Sequence, residues 1–515
     1  MIQNSVVRIV STTIQYNWVQ PYQQPLYSSE TGTGSFINDK GLILTCSHVV
    51  ENAETLRVSI GTNSDLTYPA KIISCCPDYD IALIQLSKED TNQLIGGAKG
   101  KKAKKDEKKG EKKKKKGEEK KKNNSTQYNI LKVGNSDKVK VMDKVFAVGY
   151  PLSQEQPTIT QGIIGGILNG RFQIDAQINP GCSGGPLLNM KGEIIGVLDS
   201  VIFSASGKGS PISRAIPMKT YKSMETLMSS GKYKLIHTPD LGFSYYGNSS
   251  KAIQSFYNSK EEGAMVRYIF EKSPFCSLIK NKNNALQKKD IITKFQGLKV
   301  SNSGSITVEG VTQYLSDLIT RYTWGDKLSL EIWRPDENKK KNVTVSLGKM
   351  RPFFGIRTKY PALEEIEYIT CLGAVFTELT VTHIERINQM PWGGLQKARL
   401  DKYVLARNRE QPVIVILEIL PNTPMSTIDS LKAGDTIQNI NDIQVSTMSE
   451  LIEQVSRVYK NKTRKLLIET HYQDFFSFPL TSEAVKIDSE ISSKHNILKS
   501  QSLFSKLNKY GIVLL

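Results

Sequence analysis

From Val6 to Met218 apolar and polar residues alternate in short runs broken by turns, with few stretches at the helical period of about 3.6 residues. Strict alternation places one side chain in two on each face of a pleated strand, so these runs predict half-buried β-strands. Val6–Val10, Ser35–Ile37, Leu42–Thr45, Arg57–Ile60, Lys71–Cys75 and Ile81–Leu86 form one set. Val145–Val148, Thr158–Ile167, Phe172–Ile174, Ile194–Leu198 and Arg214–Ile216 form a second. Asn38-Asp39-Lys40-Gly41 is a hairpin signal between strands of the first set. Two groups of short strands predict two small β-barrels packed together. Lys219–Ser229 is the first convincing helix and is expected to close this part of the chain.

Beyond it strands and helices mix. Glu262–Val266, Lys327–Trp333 and Lys341–Leu347 read as strands and Val311–Arg321 as an amphipathic helix, with Leu286–Ile292 an apolar segment broken by Asp290. The pattern recurs in Val413–Leu420, Leu431–Ile437, Met448–Val458 and Lys465–Thr470, with an opening strand at Cys371–Phe376 and a long insertion, Glu378 to Gln411. The remainder, from Ile487, has a helical stretch and ends Tyr510-Gly511-Ile512-Val513-Leu514-Leu515, which is expected to pack on its own domain. At 515 residues the chain is too long for one core, and two to four domains are the natural expectation.

The formal net charge of +19 looks like a nucleic-acid signature until it is located. Lys99–Lys122 holds 15 lysines against five acids and alone supplies +10. It belongs to a low-complexity insert, residues 96–124, that cannot bury enough apolar surface to fold and reads as a solvated loop. A nuclear address or a polyanion tether are the competing readings. No aromatic residue interleaves with the lysines, so base stacking is unsupported, and nucleic acid is not an expected partner beyond weak polyanion contact there. The six cysteines, Cys46, Cys75, Cys76, Cys182, Cys276 and Cys371, lack metal-ligand spacing and fit reduced thiols. No metal and no cofactor are expected. With no signal-like N-terminus and no run long enough to span a bilayer, the chain reads as soluble and intracellular. The nucleus is a possible address, as is a host cell or virion if a virus encodes it. Frequent Lys, Asn and Ile leave microbial eukaryotes and large DNA viruses equally open.

Candidate chemistry centres on Asn179-Pro180-Gly181-Cys182-Ser183-Gly184-Gly185-Pro186. A serine between glycines suits an acyl-transfer nucleophile, because the backbone must turn sharply to present the hydroxyl and nearby amides. Such a run is also found as a plain loop. His48, after the Leu42–Thr45 strand, is the only histidine before His237, and Asp80 enters the strand Ile81–Leu86. Singly each has a structural reading, a core imidazole and a turn former. Together they follow the chain order His, Asp, Ser of one triad class.

Gly32-Thr33-Gly34-Ser35-Phe36, Thr45-x-x-His48-Val49-Val50, Asp80-Ile81-Ala82-Leu83, Gly134-Asn135-Ser136-Asp137 and Gly181-x-Ser183-Gly184-Gly185-Pro186 resemble the Deg/HtrA serine proteases. The resemblance implies a mainly β fold, a chymotrypsin-like double β-barrel followed by two α+β PDZ domains. It implies a protease domain over 1–232, PDZ domains over 238–348 and 352–485, and a tail over 486–515. Ser183 would be the nucleophile, His48 the base and Asp80 its orienting partner. The amides of Gly181 and Ser183, assisted by Cys182, would form the oxyanion hole. Cys182 stands where the family usually has asparagine and reads as a small buried thiol. Gln177 would lie on the wall of the specificity pocket. Leu241-Gly242-Phe243 resembles the PDZ loop that holds a peptide C-terminus, with Lys289 replacing the usual glycine before Asp290. Leu372-Gly373-Ala374-Val375-Phe376-Thr377 followed by the long insertion resembles the plant-type Deg proteases, whose second PDZ serves assembly more than capture. The implied function is ATP-independent endoproteolysis of unfolded or C-terminally recognised polypeptides. The implied assembly is a trimer or a multiple of trimers, with Tyr16, Trp18, Tyr22 and Tyr27 as a contact surface. A non-proteolytic chaperone or PDZ scaffold on the same fold is the rival reading.

Overall fold

The computed structural model describes residues 2–61, 63–99, 128–168, 170–202, 212–247, 251–256, 261–276, 285–308, 311–389, 398–460 and 465–495. Most of the lysine-rich insert and the final residues, 496–515, lie outside these, as do the expectations made for them. The chain gathers into two compact units. The first comprises Met1–Thr13, Ser28–Ile269 and Ser273–Arg351, and the second Ile14–Tyr27, Phe270–Lys272 and Pro352–Leu515.

The alternating runs of the first unit close into two six-stranded barrels. β1 (Val6–Gln15), β2 (Leu26–Phe36), β3 (Leu42–Thr45), β4 (Ala53–Ile60), β5 (Asn63–Cys76) and β6 (Ile81–Leu86) form one, in the order β1-β2-β3-β6-β5-β4. β7 (Lys144–Gly149), β8 (Thr158–Leu168), β9 (Arg171–Ile174), β10 (Pro186–Leu188), β11 (Ile194–Ile202) and β12 (Ile212–Pro217) form the other, in the order β10-β11-β12-β9-β8-β7. This is the chymotrypsin-like arrangement expected. β10 has no counterpart among the predicted strands, because three apolar residues after a glycine turn are too short to show alternation; it pairs with β7 and β11. β6 is apolar and buried on both faces, since one fills its barrel and helix Met218–Ser229 packs on the other.

The same unit continues as a sheet, β13 (Phe243–Gly247), β14 (Ala264–Ile269), β15 (Ile291–Phe295), β19 (Lys327–Arg334) and β20 (Lys339–Ser346), with β16 (Leu298–Lys299) beside β15. Val311–Arg321 is not one helix. Its first four residues are β18 (Val311–Tyr314), paired with β17 (Ser305–Val308), and only Leu315–Leu318 is α-helical before a 3-10 turn. Val311-Thr312-Gln313-Tyr314 is rich in strand-favouring residues and its backbone pairs with Ser305–Val308, so cross-strand pairing outweighs the helical period there. Lys289 takes φ +78 at its turn, a left-handed conformation that Gly434 (φ +91) supplies at the corresponding turn of the second unit. Next to it the buried Asp290 carboxylate receives Arg334 Nε at 2.9 Å and Nη2 at 2.8 Å, and the same guanidinium donates to Ala285 O at 2.7 Å.

The second unit is built on β21 (Tyr368–Cys371), β22 (Ala374–Glu378), β23 (Ile414–Ile419), β24 (Thr436–Ile440), β26 (Lys465–Thr470) and β27 (Phe475–Pro479), with β25 (Ile443–Gln444) beside β24. The strand expected at Cys371–Phe376 is instead a hairpin, turned by Leu372 (φ +51) and Gly373 (φ +88). Helix Met448–Lys460 covers the sheet through Met448, Leu451, Val455 and Val458. Helix Ser482–Lys494 straddles the boundary expected at 485/486. It buries Ala484 in this core, and Asp488 Oδ1 accepts from Gly373 N at 2.9 Å. The aromatic stretch expected at a subunit contact is used within this unit. Trp18 packs edge-on against Tyr16 (5.0 Å) and His383 (5.1 Å), and Tyr22 Oη donates to Glu418 Oε2 at 2.7 Å. Tyr27 alone of the four is exposed. All six cysteines are free.

Truncating Arg334 to alanine leaves the Asp290 carboxylate buried and uncompensated. The expected loss is about 3–5 kcal/mol, read as a lower urea midpoint for the transition that unfolds this sheet.

Candidate active site

β3 and β6 are neighbours, with Thr45 opposite Ala82. That register brings His48, just past β3, beside Asp80, just before β6. Asp80 takes a left-handed backbone (φ +58, ψ +44) that ends the 3-10 turn Pro77–Tyr79, its N–H donating to Pro77 O at 3.0 Å. A non-glycine residue held there stores strain of about 1–2 kcal/mol. The result aims the carboxylate at the histidine: His48 N donates to Oδ1 at 2.9 Å, and His48 Nδ1 lies 2.9 Å from Oδ2.

Burial alone would lower the His48 pKa. The hydrogen bond and charge of Asp80, with Asp199 and Glu51 further off, outweigh it and leave the pKa raised above the ordinary imidazole value. For Asp80 burial pushes up, but its bonds and charge interaction with His48 win, with the neighbouring Asp199 carboxyl acting in the same direction, and its pKa is lowered. The pair therefore favours an ionised Asp80 and a basic imidazole.

The serine loop crosses from the second barrel to the first. Thr33 N donates to Ser183 O (2.8 Å), Thr33 Oγ1 to Gly181 O (2.6 Å), and Tyr150 N to Thr33 Oγ1 (3.0 Å). Thr45 Oγ1 donates to Thr33 O at 2.7 Å. Gly184 (φ +87) has to be glycine, because a Cβ would strike the Thr33 carbonyl. Cys182 is buried in the core of the second barrel against Gly149, with its thiol pKa raised by burial. Its amide donates to Asn179 O at 3.0 Å. The amides of Gly181 and Ser183 have no partner among the described residues. The Ser183 hydroxyl donates to the main-chain carbonyl of Asp199 at 2.8 Å, and among the described residues it makes no bond to His48. Gln177 is exposed on the segment between β9 and the serine loop, its carbonyl accepting from Thr160 Oγ1 at 2.9 Å. Leu241 and Phe243 are core residues of the β13 sheet, and the Gly242 amide donates to Asp240 Oδ1 at 2.6 Å.

Cys46, His48 and Asp80 hold donor atoms within 4.8 Å of one another, near enough for a metal ion. These donors are already engaged: Cys46 Sγ donates to Leu198 O at 3.1 Å, and the imidazole and carboxylate bond to each other. The arrangement is a hydrogen-bonded relay. Sequence reasoning missed Thr33 as a tie, and it missed Asp199 and Arg171 beside the relay; an acid inside the apolar run of β11 was the available signal.

Residues 32–197 match the trypsin-like peptidase domain. The chain is 27% identical over 444 residues to a probable periplasmic serine endoprotease, DegP-like, of Pseudomonas fulva, covering 84% of this chain and 75% of that one. It is 27% identical over 432 residues to protease Do-like 2, chloroplastic, of Arabidopsis thaliana, covering 81% and 62%. Among solved structures, the HtrA-type protease AlgW with tripeptide aligns at a TM-score of 0.46 and 21% identity, covering 68% of this chain and 95% of that one. The matched domain and these relatives identify a trypsin-like serine endopeptidase. By this likeness the chain is a serine-type endopeptidase similar to the DegP/Do-like proteases. Its relatives are periplasmic or chloroplastic, which overturns the expectation of a soluble intracellular protein with the nucleus, a host cell or a virion as its place. Among the described residues no helix is long and apolar enough to cross a membrane.

Thr33→Val removes the bonds to Gly181 O and from Tyr150 N while keeping the shape. It is expected to cost about 3 kcal/mol in chemical denaturation, whereas Thr33→Ser, which keeps the hydroxyl, is expected to lose under about 1 kcal/mol.

Proposed function

We propose that Ser183, His48 and Asp80 carry out the peptide-bond hydrolysis, with the amides of Gly181 and Ser183 as the oxyanion hole. The observation that carries the reading is the His48 Nδ1–Asp80 pair at 2.9 Å. In this reading the Ser183 hydroxyl leaves Asp199 O and turns to His48 Nε2. Oγ then attacks the scissile carbonyl while the imidazole accepts its proton and later gives it to the leaving amine. Asp80 fixes the Nδ1–H tautomer and stabilises the imidazolium. Each oxyanion donor contributes about 3 kcal/mol. The Cys182 amide, engaged with Asn179, is left out of that role, and Gln177 lines the approach to the pocket.

The finer reading is an ATP-independent protease of unfolded or C-terminally displayed chains, with a protease domain followed by two PDZ domains. In the first, β13 is the open edge of its sheet, which suits addition of a peptide strand ending at Leu241-Gly242-Phe243. In the second, β22 is the matching strand. Its outer edge is covered by β21, whose Ile369 and Cys371 share a core with Leu451 and Val455 of the facing helix. Capture of free peptide therefore falls to the first. Assembly into trimers or their multiples is supported by family resemblance, and light scattering of the purified protein tests it.

Incubation with casein, and labelling by a fluorophosphonate, test the triad. Wild type is expected to cleave and to label at Ser183, and Ser183→Ala to lose turnover on the order of 10⁶-fold. Comparable activity in the variant would sink the assignment. Because the His48 pKa is raised, protonation removes the base at a higher pH than in a free imidazole. The acid limb of kcat/KM is expected at a midpoint above 6.5, and a midpoint below that value contradicts the pairing with Asp80.

A further inference from the structure

The relay does not end at Asp80. Asp199, at the end of the apolar part of β11, is near enough to the Asp80 carboxylate for each acid to shift the proton affinity of the other. On its other side Asp199 Oδ2 meets Arg171 Nε at 3.2 Å, and Arg171 Nη2 donates to Tyr79 O, the carbonyl just before Asp80, at 3.2 Å. Arg171 and Asp199 are both largely covered, at 18% and 13% side-chain exposure. One guanidinium from the second barrel thus grips both the strained turn that aims Asp80 and a second acid beside it.

We propose that Asp199 and Arg171 are positioning residues for the hydrolysis, holding Asp80 in place and setting the basicity of His48 through it. The inference rests on the triad reading given above. Two neighbouring carboxylates repel unless one holds a proton or a cation intervenes. Burial and the charge of Asp80 raise the Asp199 pKa, which Arg171 opposes in part, so Asp199 is the member of the pair that more readily takes a proton. Protonated, it donates to Asp80. Ionised, it adds a second negative charge behind His48, compensated by Arg171. The other titratable groups facing this cluster are the thiols of Cys46 and Cys75, both pushed up by burial, and Glu51, which faces His48 and accepts from Ser47 Oγ. None of these supplies a cation, so beside His48, which is charged only when protonated, the permanent positive charge found on the carboxyl pair among the described residues is Arg171, at Asp199 Oδ2. The device also reaches the nucleophile, because the main-chain carbonyl of Asp199 is the acceptor that Ser183 Oγ now occupies.

The test compares wild type, Asp199→Asn, Arg171→Met, the double variant and Arg171→Lys on a fluorogenic peptide across pH. Asp199→Asn keeps shape and a donor toward Asp80 but removes a charge. Its acid limb is expected to move to lower pH by about half a unit. Arg171→Met leaves the second carboxylate uncompensated and the turn untied, and is expected to lower kcat about tenfold or more with little change in KM. In the double variant most of that loss is expected to be recovered, because the carboxylate that needed the cation is gone. Arg171→Lys, which keeps the charge, is expected to retain the wild-type limb and a larger share of kcat than the methionine variant. Superimposable acid limbs for wild type and Asp199→Asn, or strictly additive losses in the double variant, overturn the proposal. Fluorophosphonate labelling of each protein separates the two levels. Labelling at Ser183 with unmoved limbs ends only this inference, whereas absence of Ser183 labelling in wild type ends the triad assignment itself.

Discussion

Thr33 bonds through all of its polar groups: its hydroxyl to Gly181 and Tyr150, its amide to Ser183, and its carbonyl to Thr45. The side chain is fully buried, so each of these bonds is made away from competing water and each would be costly to leave unmade. The consequence is that the serine loop, grown from the second barrel, is fastened to strands of the first. Two barrels that could each close alone are made to share one site. The glycines of the loop follow from this constraint, since a side chain at Gly184 would occupy the space the Thr33 carbonyl needs.

Charge is organised around the same seam. The chain's large positive excess is concentrated in the lysine-rich segment, and it says nothing of the surroundings of His48, where three acids, Asp80, Asp199 and Glu51, act on one imidazole. A cluster of that sign raises the proton affinity of the base and has to be steadied by a cation. Arg171 meets that need from across the seam while tying down the turn that gives Asp80 its left-handed backbone.

The double barrel was legible because half-buried strands write their geometry as alternation, and the triad candidates because few residue types can do the chemistry and only one histidine was available. Elements set by pairing were not. β10 is too short to carry a period, Val311–Tyr314 has an apolar spacing that suits either a strand or a helix, and the run Cys371–Phe376 hides a hairpin whose first turn residue is a leucine. Thr33 was visible only as part of a glycine motif, since nothing local says that a threonine's hydroxyl will bridge two segments more than a hundred residues away. Arg171 and Asp199 each looked ordinary; they gain meaning from closing the second barrel onto the first.

β21 reaches the edge of β22 through a two-residue turn, so the strand and its berth are never more than a hairpin apart. Linkage that short corresponds to an effective local concentration of about millimolar or above. A peptide arriving from solution at micromolar levels competes against that standing occupant, and dilution of the protein does not help it. The edge of β22 is therefore satisfied at every concentration of protein, and the second sheet can serve as a fixed element of architecture.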